Sequence, residues 1–469
     1  MKRIKFGTDG WRAIIGEDFT FANARIVSQA IADYFRSEYD RPRMIVGYDN
    51  RFLSKEFAET AASILAANGI KVFITKASIP TTAASFIIKK RRLDGGVVLT
   101  ASHNPPNYNG IKIKCDYGGS AGSDVTGKVE KLLGRRKVKE INFADGIKSG
   151  RIEETDIIPD YLRYLKSSVD MTLLKKCRLN ILVDSMHGTG GRLIEELLKG
   201  TKCKVTTIRS EVNPLFGGGS PEPVPWYLKE LSERMRKGSF DIGIANDGDA
   251  DRIAMMRPDG GFIYPHQILA LLLLHFVEDK NMKGAVVKTI SCTTLIDKIC
   301  EKYGLKLYET PVGFKHVAHL MRTEDILIGG EESGGIGYRG YIPERDGLLI
   351  ALLFIQMLAA RRDGIIKIMK DIEKEYGKFY YWRRDTAYPF KKKETLIPTL
   401  TKNPPSKILG RKVVEVKSFD GIKFILDDLS WLILRFSGTE SILRIYAEAS
   451  STAGAMKIVE AGRRLAFRI

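Results

Sequence analysis

Two stretches carry residue types that core packing does not call for. In "LTASHNPPNYNGIK" (Leu99–Lys112) an apolar run ends abruptly on Ser102 and His103. Two prolines, three asparagines and a glycine follow, and the stretch closes on Lys112. In "FDIGIANDGDADRIAMM" (Phe240–Met256), Asp247, Asp249 and Asp251 alternate with small residues, and Arg252 comes next. Three carboxylates held within about 4 Å of one another repel by on the order of 4 kcal/mol per pair at an effective dielectric of ~20. They must splay into water or share a cation. An EF-hand loop needs glycine at its sixth place and glutamate at its twelfth; Arg252 and Pro258 stand there instead. With no histidine or cysteine in the loop, a hard ion with oxygen ligands, Mg²⁺, fits the donor set. Three carboxylates leave its octahedral shell incomplete. A phosphate on Ser102 would bring about −1.5 to −2 charge and three acceptor oxygens, so Ser102 is the expected fourth contributor to the metal site. The ion would then draw charge off the phosphoryl group as it transfers. His103 and Lys112 are the candidate general acid and base beside it. A serine hydrolase is the rival chemistry. The G-x-S-x-G elbow is missing, and a histidine adjacent to the serine on an extended loop points elsewhere.

Two further stretches suit binding rather than reaction. "ILIGGEESGGIGYRGYIPERDGLL" (Ile326–Leu349) runs from a strand into glycines that bracket Glu331, Glu332 and Ser333. Short acceptors on a sharply turning backbone suit sugar hydroxyls. "LRFSGTESILRIYAE" (Leu434–Glu448) offers Ser437, Gly438 and Thr439 in a turn, with Arg435 and Arg444 on either side. Backbone N–H groups, hydroxyls and guanidinium forks together match a phosphate monoester.

These loops need strands to hold them. "RMIVGYDN", "LNILVDSMHGTGG" and "GAVVKTISCTT" each read as a buried strand, a polar loop and then a helical stretch. This alternation is the pattern of βα units in mixed or parallel sheets. Its recurrence predicts three similar α/β domains in tandem, a repeat of shape rather than of sequence. Charged and turn-rich segments place the boundaries, giving α/β domains over 1–150 (the Ser102 loop), 151–257 (the aspartate loop) and 258–375 (the Glu331 loop). Strand patterns followed by a helix over Thr452–Ala466 predict a smaller α+β domain over 376–469. Tyr376–Ser406 is read as a boundary and loop. The length of 469 residues agrees with three or four domains at roughly 150 residues each.

The most apolar runs, Ile268–Val277 and Leu348–Ala360, are shorter than the ~20 residues a membrane span needs. They read as buried helices, and no membrane association is expected. No secretory h-region follows the start. The five cysteines are widely spaced without a C-x-x-C pair, which argues against a disulfide framework and a zinc site. A cytoplasmic location fits. The net charge of +19 gathers in clusters without interleaved aromatics, so nucleic acid is not the expected partner; a phosphorylated small molecule is.

Taken together, "FGTDGWRA", "TASHNP", "DGDADR", "GEESGG" and "RFSGTE", in that order over nearly the whole chain, resemble the α-D-phosphohexomutase family. The resemblance implies four domains around a central cleft. It implies that Ser102 is the phosphoserine and that Asp247, Asp249 and Asp251 hold one Mg²⁺ with its phosphate. Glu331 and Ser333 would contact sugar hydroxyls; Arg435, Ser437, Gly438, Thr439 and Arg444 would clamp the distal phosphate. Arg12, His103 and Lys112 would sit near the transferred phosphoryl group, with Arg252 beside the metal loop. Lys288 and the "VGFKH" stretch, with Gly313, Lys315 and His316, would reach the substrate. The implied reaction moves a phosphoryl group between O1 and O6 of a glucose or mannose phosphate through a bisphosphorylated sugar, which also serves as activator. The fourth domain is the expected moving part. Some bacterial relatives carry "GExSGH", where Gly335 stands here, and many have proline at the place of Phe436. Relatives that act on glucosamine phosphate often have glutamine after the first glutamate of this loop. Glu332 therefore points toward glucose or mannose, with phosphoglucosamine mutase as the alternative. A non-catalytic polyanion-binding protein using the +19 charge is the reading from another class.

Overall fold

The computed structural model describes residues 4–7, 9–340, 342–389, 392–436 and 442–468. Strands β1 (Trp11–Ile14), β2 (Arg43–Tyr48), β3 (Lys71–Thr75), β4 (Gly95–Leu99), β5 (Tyr108–Cys115) and β6 (Ile152–Thr155) make a first sheet in the order β1-β5-β4-β2-β3-β6. Strands β7 (Asn180–Asp184), β8 (Lys204–Ile208), β9 (Ile242–Asn246), β10 (Ile253–Met256) and β11 (Phe262–Ile263) make a second, β11-β10-β9-β7-β8. Strands β12 (Ala285–Thr289), β13 (Leu307–Thr310), β14 (Ile326–Gly330) and β15 (Ile336–Tyr338) make a third, β13-β12-β14-β15.

One plan recurs in all three. Three consecutive parallel strands stand in the order third, first, second: β4-β2-β3, β9-β7-β8 and β14-β12-β13. The next strand in sequence then returns antiparallel beside the third. The parallel strands β4, β7, β9, β12 and β14 are almost wholly buried, as strands covered by helices on both faces must be. The aliphatic runs that the sequence shows follow from that. The Ser102, Asp247–Asp251 and Glu331 loops each occupy the same connection of this plan, between the third parallel strand and its antiparallel neighbour. Sequence alternation showed the βα units but not this shared position.

Two strands fall past the sequence-based boundaries. β6 pairs with β3 beyond residue 150, and β11 pairs with β10 beyond residue 257. The stretch read as a loop also differs. Tyr380–Ala387 (β16) pairs along its length with β21 (Ile442–Ala449), and Lys393–Lys402 is helical. Its mixed aromatic and charged residues suit an edge strand, half-covered on one side. With β17 (Lys407–Ile408), β18 (Arg411–Lys417), β19 (Ile422–Leu426) and β20 (Trp431–Phe436) it completes an antiparallel sheet β16-β21-β20-β19-β18-β17. The helix Thr452–Arg468 packs on that sheet through Ala455, Ile458, Val459 and Ala466.

The buried helices Pro265–Leu274 and Gly347–Arg361 belong to one continuous core that joins the first three domains. The fourth domain has its own core. It meets the third through a smaller cluster that includes Ile290, Tyr381, Trp431 and Tyr446. Among the described residues, no helix is long and apolar enough to cross a membrane. The basic residues Lys89, Lys90 and Arg135–Lys137 lie on the surface.

Candidate active site

Ser102 sits at the tip of the β4–β5 connection in the left-handed region, φ 52°. Such a backbone costs a non-glycine residue strain that its surroundings must hold. Arg51 holds it. Its guanidinium is fully buried and donates to the carbonyls of Ser102 (2.6 Å), Asn104 (2.6 Å), Pro105 (2.8 Å) and Tyr108 (3.0 Å). Ser102 N–H also donates to Thr100 Oγ1 at 2.8 Å. The loop is therefore fixed by hydrogen bonds as well as by its prolines.

The serine and aspartate loops, far apart in sequence, meet. Ser102 Oγ donates to Asp247 Oδ2 at 2.8 Å. Glycine is required at 248, because a Cβ there would stand 2.6 Å from the Ser102 carbonyl oxygen and 2.9 Å from Pro221 Cγ. Asp247, Asp249 and Asp251 are buried, and one ligand atom from each lies within 4.8 Å of the others. Burial and the charges of Asp251 and Asp249 push the Asp247 carboxyl well above its ordinary range.

Lys112 enters this cluster. Its Nζ lies 2.8 Å from Asp249 Oδ2, 2.9 Å from Asp251 Oδ2 and 2.9 Å from Asp9 Oδ2. Although burial opposes the charge, Asp249, Asp251 and Asp9 hold the ammonium well above its usual range. Asp249 is held low: burial opposes ionisation, but Lys112 and the hydroxyl of Thr81, 2.8 Å from Oδ2, outweigh it. The Oδ1 atoms of Asp249 and Asp251 are buried with no hydrogen-bond partner in the protein. Buried carboxylate oxygens left over in this way fit an oxygen-ligated divalent cation.

Around this centre lie Arg12, His103 and Arg252. Arg12 donates to Asn104 Oδ1 at 2.7 Å. Arg252 Nε lies 4.0 Å from both Asp247 Oδ2 and Asp251 Oδ1. Burial, then the charges of Arg252 and Arg12, push the His103 imidazole well below its ordinary range, so the ring is neutral.

Arg345, which motif reading overlooked, links the aspartate loop to the Glu331 loop. Its guanidinium is 2.6 Å from Asp9 Oδ2, 3.0 Å from Asp251 Oδ2 and 3.5 Å from Glu331 Oε2. A Cβ on Gly335 would come 2.6 Å from Arg345 Cδ. The arginine stem thus fills the space where "GExSGH" relatives place a side chain. Glu331 Oε1 accepts from Gly313 N–H at 2.9 Å. Lys315 and His316 follow in the first turn of the helix Phe314–Thr323. From the fourth domain, Asp420 Oδ2 accepts from Val312 N–H at 2.7 Å and from Arg435 Nε at 2.8 Å. Contacts therefore run without a break from Ser102 to Arg435. Asp9, Arg51, Arg345 and Asp420 belong to this chain and were not found from sequence. For two of them the sequence carries a weak signal: Asp9 stands beside the turn glycine of "FGTDG", and Arg345 of "PERDG" precedes Asp346, the cap of the helix that Gly347 opens.

The other expected residues are placed as follows. Lys288 is 1% exposed and enclosed by Asp297, Glu309 (3.8 Å) and the Thr293 carbonyl (3.4 Å). It serves there as a buried counter-ion facing Lys423 and Lys417 of the fourth domain, which share Glu309. Arg444 pairs across the strands with Arg435, and its Nε is 3.8 Å from Asp385 Oδ2. Ser437, Gly438 and Thr439 lie outside the described residues. Ser333 is half-buried in the turn after Glu331.

This fold and loop arrangement define a class of phosphoryl-transfer proteins, and comparison with known proteins identifies it. The chain matches the phosphoglucomutase/phosphomannomutase alpha/beta/alpha domain I over residues 3–139, domain II over 159–260, domain III over 264–376 and the C-terminal domain over 396–465. It is 30% identical to a Thermococcus kodakarensis phosphoglucomutase/phosphomannomutase, with 98% of each chain covered. It is also 30% identical to a Sulfurisphaera tokodaii phosphoglucosamine/phosphogalactosamine mutase, with 95% of each covered. A crystal structure from Thermus thermophilus, assigned as a phosphomannomutase, superposes with a TM-score of 0.88 at 32% identity, covering 99% of both chains. The chain belongs to the phosphoglucomutase/phosphomannomutase family and is an isomerase of the intramolecular phosphotransferase class.

Proposed function

We propose that this enzyme interconverts the 1-phosphate and 6-phosphate of an aldohexose, glucose or mannose, by way of phospho-Ser102. The observation that carries this reading is the 2.8 Å contact between Ser102 Oγ and Asp247 within a buried triplet of carboxylates. Asp247, Asp249 and Asp251 would hold Mg²⁺ together with an oxygen of the Ser102 phosphate. The bound ion supplies Lewis-acid polarisation of that phosphate and offsets its charge.

In the forward step the bond from phosphorus to Ser102 Oγ breaks, and a bond from phosphorus to the free sugar hydroxyl forms. The hydroxyl loses its proton, and the neutral His103 ring suits accepting it. Lys112, kept charged, and Arg12 and Arg252 suit stabilising the equatorial oxygens and the departing Oγ. The bisphosphorylated sugar then turns around and returns its other phosphate to Ser102. It would also re-arm an enzyme whose Ser102 had lost its phosphate. Glu331 and Ser333 suit the sugar hydroxyls. Arg435 and Arg444, with Ser437, Gly438 and Thr439, suit the phosphate at the far end. Gly313, Lys315 and His316 line the path between. Glucosamine phosphate is the second reading, supported by the Sulfurisphaera relative.

The test is a coupled assay with glucose 1-phosphate, mannose 1-phosphate and glucosamine 1-phosphate. Turnover on one of them is expected, lost with Ser102→Ala and with EDTA. Full turnover by Ser102→Ala would refute the phosphoserine route. Stronger turnover on glucosamine 1-phosphate would select the second reading.

A further inference from the structure

Two of the five cysteines stand where the phosphoryl-transfer chemistry has no use for them. Cys177 ends the helix Met171–Lys176, and Cys203 directly precedes β8. Their wide spacing in sequence argued against pairing. The fold reverses that, because β7 and β8 run parallel with Asn180 opposite Lys204, which puts both cysteines at the same end of neighbouring strands. Lys204 N–H donates to the Leu179 carbonyl at 2.8 Å, closing the two chains over each other. Cys203 Sγ lies 3.6 Å from the Cys177 carbonyl oxygen.

The surroundings favour reaction at one of the pair. Both cysteines are only half-buried, whereas Cys115, Cys292 and Cys300 are buried. Lys176, Arg178, Lys202 and Lys204 flank them and are exposed. The neighbouring Cys177 thiol, against the opposing effect of burial, lowers the Cys203 thiol, while Cys203 and burial raise Cys177. A partly exposed thiol with a lowered pKa is the kind that reacts as thiolate, and here it is lowered even with the Asp241 charge opposing it.

We propose that Cys177 and Cys203 form a reversible dithiol–disulfide pair, a modification site oxidised by small disulfides of anionic thiols. The Cys203 thiolate attacks one sulfur of the incoming disulfide; the S–S bond breaks and one thiolate leaves, taking a proton from water. Cys177 then gives up its proton to water, and its sulfur attacks Cys203 Sγ. The mixed disulfide breaks and the second thiolate leaves. Two electrons pass from the cysteine pair to the oxidant, which ends as two thiols. The bond ties the remote ends of β7 and β8. The opposite end of β7 leads to the turn that packs on the aspartate loop, where Thr189 N–H meets the Gly248 carbonyl at 3.0 Å. Five strand residues, about 16 Å, separate the two ends. The staple therefore restrains the second domain without touching the reacting groups, and it stands whatever sugar phosphate the enzyme uses.

The test incubates the native full-length protein with glutathione disulfide, then alkylates remaining thiols and maps the peptides. Two thiols are expected to become protected in one cross-linked peptide joining Cys177 to Cys203, restored by dithiothreitol. Cys177→Ser should stop at one glutathionyl group on Cys203, and Cys203→Ser should react at least tenfold more slowly. The oxidised protein should unfold at higher urea concentration than the reduced form. Full alkylation of both thiols after oxidant, a cross-link to another cysteine, no adduct on Cys177→Ser, or an unchanged urea midpoint would each overturn the proposal.

Discussion

Lys112 offers the sharpest test of the site's electrostatics. Its ammonium holds three carboxylates, at 2.8, 2.9 and 2.9 Å, in a place shielded from water. Lys112→Met keeps much of the stem and removes the charge. The loss leaves Asp249, Asp251 and Asp9 facing one another, with Arg345 in close contact with Asp9 and Asp251 and with Arg12 and Arg252 at the longer distances of 3.7 Å from Asp9 and 4.0 Å from Asp251. Removing one partner of a buried ion pair costs about 3–5 kcal/mol, chiefly because the other charge is stranded. A divalent cation supplies what the lysine supplied, so this cost should shrink when Mg²⁺ is present. The assay is urea unfolding of wild type and Lys112→Met, each with EDTA and with saturating Mg²⁺. In EDTA the variant should be less stable by about 3–5 kcal/mol. With Mg²⁺ the gap should close by at least half, and the variant should bind Mg²⁺ more tightly than wild type. An equal gap in both conditions would refute the reasoning, since it would mean that Lys112 and the cation do not answer the same charge.

Other outcomes follow from single contacts. Gly248→Ala forces its Cβ to within 2.6 Å of the Ser102 carbonyl, so one loop must move by a large fraction of an ångström. Turnover should fall about 100-fold with little change in melting, and unimpaired turnover would show that the two loops need not meet closely. Gly335→Ala pushes on Arg345 Cδ in the same way. It should cost at least about tenfold in kcat/KM, and nothing further when added to Arg345→Ala, because contacting residues are non-additive; additive losses would separate the two positions. At the contact between the third and fourth domains, burial and then Lys288 depress the Lys423 ammonium from 10.5 to about 8. Between those pH values the folded protein has shed a proton that the unfolded chain keeps, so stability rises with pH across that window. The whole effect is about 3 kcal/mol. In urea unfolding, the stability of wild type relative to Lys423→Met should rise by that order from pH 8 to 10.5, and a constant difference would show that Lys423 titrates normally.

The sequence by itself marked the candidate reacting groups and the elements behind them. The alternation of apolar runs with polar loops marked β2, β7 and β12. The spacing of Asp247, Asp249 and Asp251, with no softer donor nearby, pointed to a candidate oxygen-rich cation site, and the fold brings the three carboxylates together, within 4.8 Å of one another. Ser102 stood out because a polar residue on a stiff loop after a buried strand has no packing role. These are local facts, set by chain geometry and by charges only a few residues apart. Tyr380–Ala387 was not legible as a strand, since half-covered edge strands carry a weak alternation, and its partner β21 lies far along the chain.

Only the tertiary structure decided which charges answer which. Lys112 reads as a plain acid or base in sequence, yet three carboxylates from two different domains surround it. The resemblance implied that Lys288 reaches the substrate, and the fold adds that it is buried against Asp297 and Glu309. Arg345 carries no motif signal, yet its stem lies over Gly335 and joins two loops. Cys177 and Cys203 look unrelated until parallel register puts their thiols together. In each case the deciding term is an interaction between residues distant in the chain, in a place from which water has been removed. Burial strengthens a Coulomb or hydrogen-bonding contact only after the sheets have docked, and no local pattern records how they dock.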